Sequence, residues 1–231
     1  MIRWVIKCVF RLIVLAVVLV AAFLLSLNTL LRILVEHNIR AQTGMDAEIG
    51  RFQLGLTEPT ITVQDLKIYN PPSFGGTLFM RIPEIHVEYD RQALARRQLH
   101  FTLVRFNLGE VCIVKNQRGQ TNLFSMGLNP KSASMGNGDK AMDTLRQQTG
   151  LSFTGVDSLN VSVGTFKFID LQNRAKDRTQ VVGLDNQVLM NVRRPEDLMG
   201  LEVLVALRSG DFFTQIFEPG TGQGGGFFPH W

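Results

Sequence analysis

Residues 59–72 read PTITVQDLKIYNPP, and the reading of the fold starts from them. Ile61 and Val63 alternate with Thr62 and Gln64, and Leu66 and Ile68 alternate with Lys67. Successive side chains on a strand point to opposite faces, so this period of two predicts a sheet with one wet and one apolar face. Thr57-Glu58-Pro59-Thr60 forms a turn before it. Asn70-Pro71-Pro72-Ser73-Phe74-Gly75-Gly76 forms a loop after it, because tandem proline and tandem glycine oppose a strand.

The same pattern extends outward. Phe52, Leu54 and Leu56 alternate with polar or small residues upstream; Ile85, Val87 and Tyr89 do so downstream. Residues 91–97 (RQALARR) predict a short helix. Leu99, Phe101 and Leu103 then alternate with His100, Thr102 and Val104, and Val111 and Ile113 end a further strand at the turn Asn116-Gln117-Arg118-Gly119. Residues 127–139 (GLNPKSASMGNGD) are poor in apolar residues and predict a surface loop or linker, with room for one short helix over 140–149. Strands resume at Leu159/Val161/Val163, Phe166/Phe168, Val181–Leu184, Val188–Val192 and Leu201–Leu207. The expected divisions are 1–42, 43–126, 127–150, 151–217 and a glycine-rich aromatic tail, 218–231.

Leu12 to Leu31 carry no charge, and Arg3, Lys7 and Arg11 precede them. Twenty residues at about 1.5 Å each make a helix of roughly 30 Å, the depth of a bilayer's hydrocarbon core. Val20-Ala21-Ala22 has the small residues of a cleavage site, but Phe23, Leu24, Leu25 and Leu27 keep the segment apolar beyond it. The expectation is an uncleaved anchor within one helix from about residue 4 to 42, ended at Thr43-Gly44. Its basic flank stays cytoplasmic and the body crosses the membrane.

Charge distribution agrees. The formal net charge is +4. Residues 1–35 hold Arg3, Lys7, Arg11 and Arg32 and no acid, so the remainder is neutral. A nucleic-acid binder shows a basic face on its folded part, and none is expected here. Cys8 and Cys112 would lie on opposite sides of the bilayer, leaving no internal disulfide, and Cys112 reads as a small buried apolar residue.

No chemistry-bearing motif stands out. Gly220-Thr221-Gly222-Gln223-Gly224-Gly225 fits G-x-G-x-x-G, but Pro229 and the short remainder leave no room for the helix a dinucleotide needs. His37, His86, His100 and His230 have no metal-ligand spacing. Asn160-Val161-Ser162 is a fortuitous glycosylation triplet. Arg91, Arg96 and Arg97 read first as a solvated helix face, and second as a contact for lipid headgroups or an acidic partner. No catalytic residue, metal or cofactor is expected. Phe227, Phe228 and Trp231 are candidate partner-docking residues, since aromatics anchor interfaces.

The ordered series from the anchor to about residue 124 resembles the N-terminal part of the AsmA-like family of bacterial inner-membrane proteins. It runs through Gly50-Arg51-Phe52, then Pro59 to Pro72, then Ile85-His86-Val87-Glu88-Tyr89-Asp90. Leu94, Leu99-His100-Phe101, Gly109 to Asn116 and Gly119-Gln120-Thr121-Asn122-Leu123 follow. The resemblance implies a periplasmic β-rich body whose sheet curls into an open apolar groove, related to bridge-like lipid transfer proteins, with no catalytic centre. The expected fold is therefore mainly β with an N-terminal transmembrane helix, a curled open antiparallel sheet and one or two short helices. Phe52, Leu54, Ile61, Val63, Ile85, Val87, Phe101 and Leu103 would line the groove. The expected partners are membrane lipids and other membrane-protein subunits. About ten strands at ~4.8 Å spacing give a groove on the order of 50 Å, short for spanning an envelope alone. The protein would then be a small lipid-handling member or an accessory subunit of a larger membrane complex.

Overall fold

The computed structural model describes residues 28–41, 43–55, 57–125, 146–147 and 149–212. Residues 28–41 are helical (α1), within the span of the helix expected from about residue 4 to 42. The rest of the apolar run, the loop 127–139 and the tail with Phe227, Phe228 and Trp231 lie outside the described residues. Among the described residues no helix is long and apolar enough to cross a membrane.

The body is an open six-stranded sheet in sequential order. Its strands are β1 (Asp46–Leu54), β2 (Thr60–Tyr69), β3 (Leu78–Tyr89), β4 (Gln98–Lys115), β5 (Ser152–Asp170) and β6 (Arg178–Val192). Short helices α2 (Arg91–Ala95) and α3 (Asn122–Ser125) follow β3 and β4, and α4 (Met199–Ser209) follows β6. Leu54, Thr60, Tyr89, Gln98, Ser152 and Val192 mark the upper end of the sheet; Asp46, Tyr69, Leu78, Lys115, Asp170 and Arg178 mark the lower end.

Two expectations are corrected. The sheet is mixed, not antiparallel: Gln98 pairs with Ser152 and Lys115 with Asp170, so β4 and β5 run parallel. The stretch between them is long enough to return the chain to the upper end, and a parallel neighbour needs such a crossover. The strand expected at Leu201–Leu207 is the helix α4. Leu201, Val203, Val205 and Leu207 alternate, but the intervening Glu202, Leu204, Ala206 and Arg208 are good helix formers. Glu202 in the first turn and Arg208 in the last complement the helix dipole.

Several expected strand pairs are single long strands. β4, β5 and β6 each join two stretches that read separately, so about ten strands become six, roughly 24 Å across. In β6 the break falls at left-handed Gly183 and Asn186; in β4 and β5 it falls on a line that crosses the sheet from β1. Buried or half-buried apolar residues that pack together step by three, not two, at Ile49–Phe52, Val63–Leu66, Ile82–Ile85, Leu108–Val111 and Val163–Phe166. The pairing aligns these steps: Gly50 and Asp65 fall between the pairs Ile49–Leu66 and Arg51–Gln64, Asp65 and Pro83 between Gln64–Glu84 and Leu66–Ile82, and Gly109 and Gly164 between Leu108–Val163 and Glu110–Thr165. Asp65 has φ 53. A Cβ on Gly109 would lie 3.0 Å from the Pro83 ring, and one on Gly164 would lie 2.3 Å from the Gly109 carbonyl oxygen. Backbones therefore touch along this crease where side chains would collide.

Both long helices descend from the upper end over the same apolar face. Val35 and Ile39 of α1 pack against Ile49, Leu66 and Ile82. Leu201 and Val205 of α4, with Phe212, pack against the cluster of Val111, Ile113, Val163, Phe166, Phe168, Val182 and Leu184. The Phe166 and Phe212 rings stack with centroids 6.2 Å apart.

The two sheet edges are protected differently. Along β1, α1 presents polar side chains one turn apart. Asn28 Oδ1 accepts from Leu54 N–H (3.2 Å), and Glu36 Oε1 accepts from Ile49 N–H (2.8 Å). Arg32 Nη1 donates to the Gly50 carbonyl, and Arg40 pairs with Asp46. At the other edge β6 is irregular, with left-handed residues at Gly183, Asn186 and Asn191 and two register shifts against β5. Open edges invite strand addition, and covering or bulging them discourages it.

Candidate functional site

On β1 to β4, burial of the apolar face changes at the crease. Below it, Ile49, Leu66, Ile82, Val111 and Ile113 are buried. Above it on β1 to β4, Phe52, Leu54, Ile61, Val63, Ile85, Val87 and Phe101 are half-buried. In cross-strand register Phe52 faces Val63, Val63 faces Ile85, Leu54 faces Ile61, and Ile61 faces Val87. Two continuous apolar rows thus cross the upper half of the sheet.

The rows continue through residues the alternation misplaces. Val87 pairs with Val104 and Val104 with Leu159, whereas Leu103 stands opposite Glu88 and Ser158. The register shifts between Glu88 and Tyr89, so Tyr89 pairs with Phe101. Phe101 in turn meets Phe153, ring centroids 6.2 Å apart. Val104, Tyr89 and Phe153 therefore join the candidate surface, and Leu103 sits in a polar row. The one-residue slip is invisible in the alternation of β4 by itself.

At the upper end, beside α2, the surface has a shallow, open hollow lined by Leu54, Gly55, Tyr89, Arg91, Leu94 and Ala95. The helix is set by Asp90, whose carboxylate accepts from Gln92 N–H at 2.7 Å as an N-cap. Arg91 donates to the carbonyl of Thr57 in the turn after β1.

The opposite face is charged. Asp65 lies 3.0 Å from both Lys67 and Arg81, and these bonds, Lys67 first, hold its carboxyl below the usual range. Glu110 pairs with Lys167 at 2.9 Å. His86, opposite Thr62 on β2, shares a 2.8 Å bond with its hydroxyl through Nδ1 and approaches Glu88 at 3.3 Å through Nε2. His100 is similarly held between Thr154 and Asp157. Both histidines are thus structural partners in cross-strand polar pairs. Among the described residues no group of histidine, cysteine and acidic side chains is placed to hold a metal ion.

Below the crease, a buried polar clamp fixes the start of the crossover. Asn122, fully buried, accepts from Val114 N–H at 3.0 Å and donates to Asn70 Oδ1 (2.7 Å) and the Cys112 carbonyl (2.9 Å). Cys112 is buried, and desolvation, with Glu110 nearby, pushes its thiol up to about 11.

No family model, curated protein or solved structure matches the chain.

Proposed function

We propose that this protein is a non-enzymatic, membrane-anchored member of the AsmA-like type, handling lipid at the periplasmic face of a bacterial inner membrane. The supporting observation is a burial gradient on β1 to β4: Phe52, Leu54, Ile61, Val63, Ile85 and Val87 above the crease are only half-buried, while Ile49, Leu66, Ile82, Val111 and Ile113 below it are buried. Position adds weight. α1 joins the sheet at its upper end, with Asn28 beside Leu54, and the apolar run precedes it in sequence. On this reading the membrane that takes that run lies at the upper end of the sheet. Each methylene of an acyl chain buried there contributes about 0.8 kcal/mol, so affinity requires no reaction.

Native mass spectrometry of protein extracted in mild detergent tests the proposal. Lipid adducts that diminish in Val87→Asp, with the folded body retained, are expected. Bare protein under conditions that preserve a known lipid-binding control overturns it.

A second reading, an accessory subunit of a membrane complex, draws on α4. Met199, Val203 and Leu207 recur one turn apart on its outer side and are 47%, 46% and 74% exposed. Such a stripe suits a helical partner. Val203→Asp combined with Leu207→Asp would then release co-purifying subunits while lipid adducts persist; a monomer in native extracts removes this reading.

A further inference from the structure

We propose that the aromatic tail of this chain packs back on α4, with Phe227, Phe228 and Trp231 covering Met199, Val203, Leu204 and Leu207. This goes beyond the lipid reading and gives the outer side of α4 an occupant from within the chain, so a partner helix reaches that stripe only by displacing the tail. The helix itself calls for a cover. Of its eleven residues only Glu202, Arg208 and Ser209 are polar, and Ser209 is buried with its hydroxyl donating to the Ala206 carbonyl. Leu201 and Val205 meet the sheet, while Met199, Val203, Leu204 and Leu207 are 39–74% exposed. A helix that is apolar on every side is normally buried on every side.

Reach and chemistry select the occupant. Phe212 is buried and its ring stacks on Phe166, so the chain leaves the described body five residues after Leu207, the most exposed of the four. Phe227 lies 15 residues beyond Phe212, and Gly220, Gly222, Gly224, Gly225 and Gly226 fall between them. A glycine-rich link of that length spans about 21 Å, against about 16 Å for the whole of α4. Every position of the stripe is within that reach. Residues 213–231 carry one acid, Glu218, and α4 carries one base, Arg208, in its last turn beside the exit. The apolar side chains match as well, with leucines to lie against the rings and the Met199 sulfur to meet a ring edge. A tethered segment acts at an effective concentration in the millimolar range, so three rings suffice where a free peptide would dissociate.

The test uses the full chain in mild detergent, carrying Cys8→Ser and Leu207→Cys and labelled with a maleimide. Cys112 is buried and sets a slow background. Replacing Phe227, Phe228 and Trp231 together by serine should speed labelling of Leu207→Cys about tenfold, the rate following the uncovered fraction. Val181→Cys, on β6 and 66% exposed in the native residue, should label equally fast with either tail. An unchanged Leu207→Cys rate overturns the proposal. With the native tail the rate should not depend on protein concentration; labelling that accelerates on dilution assigns the cover to a second copy and overturns it too. Benzoylphenylalanine in place of Phe228 gives a second readout that leaves α4 intact. In a mixture of isotopically light and heavy chains, photo-crosslinks should join the tail to residues 199–208 of the same chain. Mixed-mass crosslinks, or crosslinks to detergent, lipid or another subunit alone, overturn the proposal. Lipid adducts should be the same with either tail, so the result is independent of the lipid-handling reading.

Discussion

The carboxylate of Glu36 accepts the backbone N–H of Ile49 at 2.8 Å, and the same oxygen pairs with Arg32 at 3.1 Å. One side chain thus both supports its own helix and satisfies a donor on the sheet's first edge. With Asn28 and Arg40 it forms a polar seam that docks α1 along β1.

Glu36→Ala should break that seam. Ile49 is buried, so its N–H would lose a charge-assisted partner, a cost of about 1–3 kcal/mol. Denaturant unfolding of the body should show a lower midpoint, and light scattering should show faster self-association as the edge is uncovered. An unchanged midpoint would mean that Val35 and Ile39 alone hold the helix.

The crease predicts a sharp contrast between two glycines. Gly164→Ala places a methyl 2.3 Å from the Gly109 carbonyl oxygen. The rigid backbone must move, and a loss of about 2–4 kcal/mol is expected. Gly200 in the first turn of α4 has open space around its Cβ position. Gly200→Ala should stabilise by about 0.5–1 kcal/mol. Thermal melts of the two variants read the difference directly.

Asp65 gives a pH signature. Its folded pKa is depressed by Lys67 and Arg81, so its stabilising contribution is present above the unfolded value, near 3.9. That contribution is lost as pH falls through the folded value. Asp65→Asn should be less stable than the native chain at pH 7, and the difference should narrow as the pH falls into the acid range. A gap that does not narrow in acid would rule out the Asp65 charge as its source, since asparagine tolerates the same left-handed backbone.

Cys112 should resist modification. With its thiol at about 11, roughly a thousandth is ionised at pH 8, and the side chain is buried. Iodoacetamide should label it slowly in the native body and rapidly after unfolding. Fast native labelling would show that the lower core opens.

Much of the sheet was legible from its alternation. The turn at residue 57, the helix after Tyr89 and the apolar rows of β1 to β3 stand where the pattern places them. The crease was not legible. β2, β4 and β5 read as two stretches because their apolar phase slips at Asp65, Gly109 and Gly164, and one chain segment does not reveal that these slips align with those at Gly50 and Pro83. The helix α4 was misread for a related reason: Leu201, Val203, Val205 and Leu207 fit a period of two, while Leu201 and Val205 alone face the core. Leu103 was placed on the apolar face because the shift at Tyr89 is a property of the pair of strands. The role of Glu36 and Arg32 was hidden because a helix sequence shows which residues share a side, not which strand edge they meet.

The parallel seam between β4 and β5 imposes an order of assembly. The first four strands are joined by short links and can zip up as the chain emerges, each hairpin templating the next. Ser152 must then find Gln98 after a detour through the whole crossover, so loop closure delays the second half. Until that half arrives, Val111 and Ile113 have no cover from Phe166 and Phe168. Annealing of the last two strands and α4 therefore carries the larger loop-closure cost, and shortening the crossover is expected to speed refolding more than shortening any earlier link.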